Sequence, residues 1–116
     1  MLTLTLPWPP SALNPNQRQH WRQHARHKAR FRAACALQAR AQGVGSLKAE
    51  KLAVRLSFVP PDRRRRDLDN LIAAMKSGLD GLADVLGVDD SHWRLQAELA
   101  DVVGGMVKVE VTTCQD

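Results

Sequence analysis

Cysteine is scarce in this sequence: Cys35 and Cys114 are the only two, far apart and in no CxxC pair. That is too few for a disulfide framework, so a reduced cytosolic setting with free thiols is expected. Long apolar runs are missing too. None approaches the roughly 20 residues that cross a bilayer. The opening stretch LTLTLPWPP has neither a basic leader nor an extended apolar segment, so a cytoplasmic protein without a signal peptide or membrane partner is expected. No repeat, low-complexity tract or linker divides the 116 residues, a length that suits one domain around one core. Acids are rare at the front: residues 1–66 hold only Glu50 and Asp62, against 14 of the 17 Lys and Arg. Residues 67–116 reverse this, with three bases and ten acids, so the two parts carry +12 and −7 within a net +5. Such asymmetry points to a basic surface for a polyanion and a separate acidic site, unless folding intermixes the charges.

What is present sorts into alternating and helical segments. Residues 2–6 alternate Leu and Thr like a half-buried strand, and Pro7, Pro9 and Pro10 end it because proline donates nothing to a ladder. Ser11 to Asn16 reads as a loop. From about Gln17 to Gln42 there is no Gly or Pro, and Ala, Arg and Gln favour a long helix. Its apolar positions Trp21, Ala25, Ala29, Ala33 and Leu37 recur every four residues, and Gly43 and Gly45 stop it. Lys51 to Val59 alternates again, with Leu52, Val54, Leu56 and Phe58 on one face. A second helix runs from about Asp69 to Leu86, carrying Leu68, Leu71, Ile72, Met75, Leu79, Leu82 and Leu86 as one apolar stripe, with Gly87 at its end. Trp93 to Ala100 and Met106 to Thr112 read as two closing strands joined by a turn at Gly104-Gly105, with Val107, Val109 and Val111 facing the core. The order β-α-β-α-β-β predicts an α+β fold, two helices packed on one mixed four-stranded sheet.

The second helix also has a polar line. At 100° per residue, Ala73, Lys76 and Asp80 all fall near Asp69, clear of the apolar stripe. Asp67 sits at the loop-to-helix junction, where a carboxylate can either cap the helix or reach a metal. Asp89-Asp90 follows the helix, and Asp90 reaches the helix start only if the chain folds back. Phosphodiester hydrolysis needs such equipment. Hard Mg²⁺ prefers carboxylate oxygens, bound ions activate water, and a nearby Lys neutralises charge in the transition state. The bland alternative is that Asp67 and Asp69 cap the helix and complement its dipole, Asp90 makes a turn, and Lys76 is solvated.

The stretch PPDRRRRDLDNL, residues 60–71, resembles the signature of RusA-type Holliday-junction resolvases, in which D-x-D-N-L precedes a helix and a later D-D pair. LPWPPS at 6–11, with Asn14 and Arg18 downstream, is similar to that family's opening segment, and Asp89-Asp90-Ser91 completes the set in order. The resemblance implies a homodimer that resolves four-way DNA junctions by paired symmetric nicks in recombination and repair, encoded by host or prophage. It implies Mg²⁺, with Mn²⁺ as a substitute and no small-molecule cofactor, and Asp67, Asp69 and Asp90 as ligands. The best-known branch carries a catalytic Lys four residues after the second Asp. Ala73 stands there, and Lys76, on the same helical face, is assigned the role. The alternative consistent with that substitution is a non-catalytic branched-DNA-binding protein of phage type.

Arg63, Arg64, Arg65 and Arg66 immediately precede the acids, and either grip phosphates flanking the cleaved bond or form a solvated loop. Arg18, Arg22 and Arg26, followed by Arg30, recur at i+4 and could lie along a DNA arm or keep an Ala-rich helix soluble. His20, His24 and His27 share a helical face, but with no Cys or carboxylate nearby a polar or DNA-facing role is expected over zinc. Trp8, between prolines, is the candidate for a strand-separating wedge, with packing as its alternative.

Overall fold

Leu52, Val54, Leu56 and Phe58 are all fully buried, and the strand that carries them, β2 (Lys51–Val59), lies inside the sheet. The computed structural model describes residues 1–114. Before β2 come β1 (Leu2–Pro7), a 3₁₀ turn (Ser11–Leu13) and helix α1 (Trp21–Ala41). After it come helix α2 (Leu68–Leu86), a second 3₁₀ turn (Asp90–His92), β3 (Trp93–Leu99) and β4 (Met106–Cys114). The sheet order is β1-β4-β2-β3. β4 runs antiparallel to both β1 and β2, while β3 runs parallel to β2, so the four-stranded sheet is mixed as expected.

Register aligns the period-2 patterns into continuous apolar rows: Leu4, Val109, Leu56 and Ala97 form one row across all four strands, and Leu2, Val111, Val54 and Leu95 form the next. Both helices cover this apolar face, giving two layers around one core. The turn at Gly104-Gly105 exists, with Gly105 at φ 95°, but the strands it joins are not neighbours. β2 lies between them, and the turn is tied over its end by Gly104 N–H to the Pro60 carbonyl (2.8 Å) and Gly105 N–H to the Val59 carbonyl (2.9 Å). The reason is topological. Parallel β2 and β3 need a long crossover, which α2 supplies, and this leaves the other side of β2 for β4.

α1 departs from expectation in two ways. It begins at Trp21 rather than near Gln17, because residues 14–17 close a turn of their own and His20 Nδ1 accepts the Arg22 N–H (3.2 Å) as a cap. Its buried line is Phe31, Cys35, Ala36 and Ala39, whereas Trp21 and Leu37 at the ends of the every-fourth-residue series are each 69% exposed. α2 presents the predicted stripe and ends at Gly87 in the left-handed region (φ 72°). α1 and α2 touch most closely at Gly78 and Gly81. A Cβ on Gly78 would stand 2.5 Å from the Phe31 ring, and one on Gly81 would overlap the Arg32 carbonyl oxygen. Among the described residues, no helix is long and apolar enough to cross a membrane.

Candidate functional site

The segments that carry the resemblance come together in space. Beyond β1, Trp8 packs edge-on against Phe58 (centroids 6.0 Å apart, planes at 87°), and the Arg66 guanidinium lies over its ring at 5.4 Å. Arg66 is held in turn by an ion pair to Asp62 (2.8 Å) and by donation to the carbonyls of Asp62 and Arg64, both at 3.1 Å. Asp62 also accepts the Arg64 N–H at 2.9 Å. That bond, followed by the arginine partners, holds its carboxyl below the usual carboxylate range. The result is a cleft of about 720 Å³ between the two segments, lined by Trp8, Asn14, Arg65, Arg66, Asp67 and Asn70 among others. The arginine run therefore divides. Arg66 is a mostly buried strut, Arg65 faces the cleft, and Arg63 and Arg64 project into solvent.

Asp67 is the N-cap residue of α2, yet its side chain makes no cap hydrogen bond; its carbonyl takes the Leu71 N–H (3.2 Å). Its carboxylate is thus left exposed on the cleft wall. Asp69, in the first turn of the helix, is also exposed, and among the described residues no hydrogen bond or ion pair engages either side chain. Asn70 and Asn16 complete the cleft. Asn70 belongs to the D-x-D-N-L motif without a role read for it, and Asn16 gives no signal of its own in the sequence.

Asp90 does return to the helix, by a local route. Gly87 breaks α2, and Asp89 organises the following turn by accepting the Ser91 N–H (3.2 Å) and hydroxyl, which hold its carboxyl below the usual range. Trp93 Nε1 donates to the Val88 carbonyl (3.0 Å) and fixes the exit. Of the acidic pair, Asp89 therefore builds the turn and Asp90 faces α2. It meets Lys76, which also pairs with Asp80 at 2.8 Å. The bonds from Asp80 and then Asp90 push the Lys76 ammonium above its ordinary pKa, so it stays charged. Lys76 stands two turns along from Asp69, about 10 Å at 1.5 Å per residue, with exposed Ala73 between them.

The expected trio is thus split. Among the described residues, no three His, Cys, Asp or Glu side chains are grouped to hold a metal ion. The donor chemistry of Asp67 and Asp69 fits a hard divalent cation, being carboxylate oxygens without other partners. Asp90 fits only if Lys76 exchanges its ion pair for one with substrate phosphate.

Arg18, Arg22 and Arg26 are all exposed at or near the start of α1, with Arg22 over the exposed Trp21 ring at 5.3 Å. Arg32 instead faces α2 and forms a two-pronged pair with Asp84, both contacts at 2.8 Å. The three histidines do not assemble: His20 caps α1, and His24 bonds to the Gln19 amide (2.9 Å).

No family model matches this chain. An uncharacterized protein of Xylella fastidiosa (strain Temecula1) is 36% identical over 117 residues, an alignment that covers 97% of this chain and 76% of that protein. At that identity and coverage, the chain belongs to the same family as the Xylella protein.

Proposed function

We propose that this chain is a Mg²⁺-dependent endodeoxyribonuclease of the RusA type, resolving four-way DNA junctions as a homodimer in the cytoplasm. One observation carries the reading. The two motif segments, remote in sequence, wall a single cleft, and the Asp67 carboxylate in that cleft is left free of the helix cap it could have made. Asp67 and Asp69 would hold the ion, with Asp90 joining them as substrate draws Lys76 away. A bound ion of this kind supplies Lewis acidity and an activated water. Arg65 and Asn70 offer donors to phosphate at the cleft wall, while Arg66 keeps Trp8 and the arginine loop in place. Lys76, held charged by Asp80, stands ready to neutralise the anionic transition state.

The test is cleavage of a labelled synthetic four-way junction, with and without Mg²⁺ or Mn²⁺. Symmetric nicks should require the cation. Asp69→Asn should abolish them while junction binding persists or tightens, and Lys76→Ala should slow cleavage by roughly 100-fold or more, the usual cost of one transition-state donor. Near-normal cutting by Asp69→Asn sinks the mechanism.

A second reading draws on the separation of Asp90 from Asp67 and Asp69 and on Ala73. In it the protein binds branched DNA without cutting. It predicts junction binding with no nicking at any Mg²⁺ or Mn²⁺ concentration.

A further inference from the structure

A second, smaller cavity of about 230 Å³ lies where the loop after the first 3₁₀ turn meets both helices. It is separate from the cleft, since none of Arg65, Arg66 or Asp67 lines it. α1 contributes His24 and Lys28, one turn apart on the same face. α2 contributes Lys76, Ser77 and Asp80 from the face opposite.

The hydrogen bonds around this cavity sort its lining into engaged and unengaged groups. Gln19 Nε2 donates to the Ala12 carbonyl (2.5 Å) and also meets His24 Nδ1 (2.9 Å). A carbonyl oxygen only accepts, so the Gln19 atom facing it is the nitrogen, which can only donate to the ring. His24 Nδ1 is therefore the acceptor, and the neutral ring carries its proton on Nε2, the nitrogen that Gln19 leaves free. Among the described residues, no hydrogen bond or ion pair engages the Lys28 ammonium. Ser77 Oγ is buried without a hydrogen-bond partner, although a helical serine commonly turns to solvent or to the carbonyl four residues back. Asp80, the one acid in the lining, is taken by Lys76 at 2.8 Å. The side-chain groups left unengaged are thus all donors. Within the lining Lys76 and Asp80 offset each other, and the charge of Lys28 is in excess.

Such a set does not suit a metal ion, which needs oxygen acceptors. It suits an oxyanion, whose oxygens accept from an ammonium, an imidazole N–H and a hydroxyl at once. At roughly 30 Å³ per water molecule, the cavity has room for one such anion with some of its hydration. We propose that this cavity binds a single phosphate group, held by the Lys28 ammonium, the His24 Nε2–H and the Ser77 hydroxyl, with Lys76 at its border. A phosphodiester of a nucleic-acid strand and free inorganic phosphate offer the same chemistry. The exposed Arg22, Arg26 and Arg30 on the same helix favour the strand, since they extend the positive surface beyond the cavity. The site requires neither metal nor cleavage, so it goes beyond the nuclease reading and does not depend on it.

NMR of the full chain, titrated with inorganic phosphate at constant ionic strength and without divalent cation, tests this. The His24 ring protons should shift saturably, and His24→Gln assigns them among the four histidines. Lys28→Gln and Ser77→Ala should each weaken phosphate binding by roughly tenfold or more, the size expected for losing a hydrogen bond to a charged group. Arg30→Gln removes an equal charge from α1 outside the cavity and should leave phosphate binding as it is. A His24 ring that phosphate does not move overturns the proposal. So does a response that survives Lys28→Gln and Ser77→Ala, or one that Arg30→Gln weakens as much as Lys28→Gln. The source of the phosphate is read from a labelled four-way junction, again without divalent cation. If a strand fills the site, Lys28→Gln should lower the slope of log affinity against log salt by about 1. An unchanged slope beside a positive phosphate titration identifies free phosphate as the ligand. A wild type that binds no junction sinks the nuclease reading, while the phosphate titration still decides the site.

Discussion

The two cysteines of this protein sit in opposite environments. Cys35 is fully buried against α2 and close to Gly78, and burial pushes its thiol up to about 12. Cys114 lies half-buried at the end of β4. The thiolate is the reactive form, and at pH 8 a thiol with a pKa near 12 is ionised in only about one molecule in ten thousand. A thiol-specific reagent at pH 8 should therefore label one cysteine per native chain promptly. The second should appear only as denaturant unfolds the protein, with a midpoint matching the loss of helical circular dichroism. Two promptly reactive thiols in the native state would show that the α1–α2 contact opens more readily than its packing implies. The same contrast between buried and available chemistry governs the acids. Asp62 and Asp89 are bound into their own loops, whereas Asp67 and Asp69 carry carboxylates with no such task.

At the scale of elements, the contact between α1 and α2 rests on the absence of side chains at Gly78 and Gly81. An Ala in a helix interior is ordinarily favoured over Gly by about 1 kcal/mol. At Gly81 the added methyl overlaps the Arg32 carbonyl oxygen, which belongs to the backbone of the facing helix and cannot swing aside. Gly81→Ala should therefore destabilise the protein by about 1–3 kcal/mol, the usual range for overpacking, despite its better helix propensity. Urea unfolding with an unchanged m-value checks this; a more stable variant would show that the helices separate at little cost. The crossing also explains which elements were legible in the sequence. β2 and β4 announce themselves because Leu, Val and Phe alternate with polar residues, and α2 because its large aliphatics keep a helical period. α1 is Ala-rich on several faces, and Ala carries too little apolar surface to mark one. Phe31 and Cys35 identify the buried side only when Gly78 and Gly81 are seen opposite. Likewise, the pairing of β3 and β4 with β2 instead of each other depends on the α2 crossover, which no local pattern records.

Across the whole molecule, the sequence placed Asp67, Asp69 and Lys76 correctly on or beside one helix, because their spacing is local. It could not place Asp90, whose position depends on the left-handed Gly87, the Asp89 turn and the Trp93 anchor acting together. Charge is the other global feature. No acid precedes Glu50, and the exposed side of α1 has Arg22, Arg26 and Arg30 with no carboxylate of its own helix to neutralise them. Among the described residues, arginine pairs such as Arg32–Asp84, Arg64–Asp62, Arg66–Asp62 and Arg55–Glu98 involve other arginines, so folding leaves this patch basic. Phosphate contacts made by such a patch release counterions, and affinity then falls with salt in proportion to the number of phosphates neutralised. Replacing Arg18, Arg22 and Arg26 together by Gln should reduce the slope of log affinity against log salt by roughly 1 for each phosphate no longer neutralised, about 3 in all. The weakening should be equal for junctions of different sequence if, as proposed, these arginines contact the backbone and not the bases. Asp69 is an anion and neutralises no phosphate, so Asp69→Asn should leave the slope as it is or steepen it slightly by removing a repelling charge. Fluorescence anisotropy with a labelled junction from low to physiological salt distinguishes the cases. An unchanged slope in the triple variant would assign the polyanion surface to the Arg63–Arg65 loop at the cleft instead of to α1.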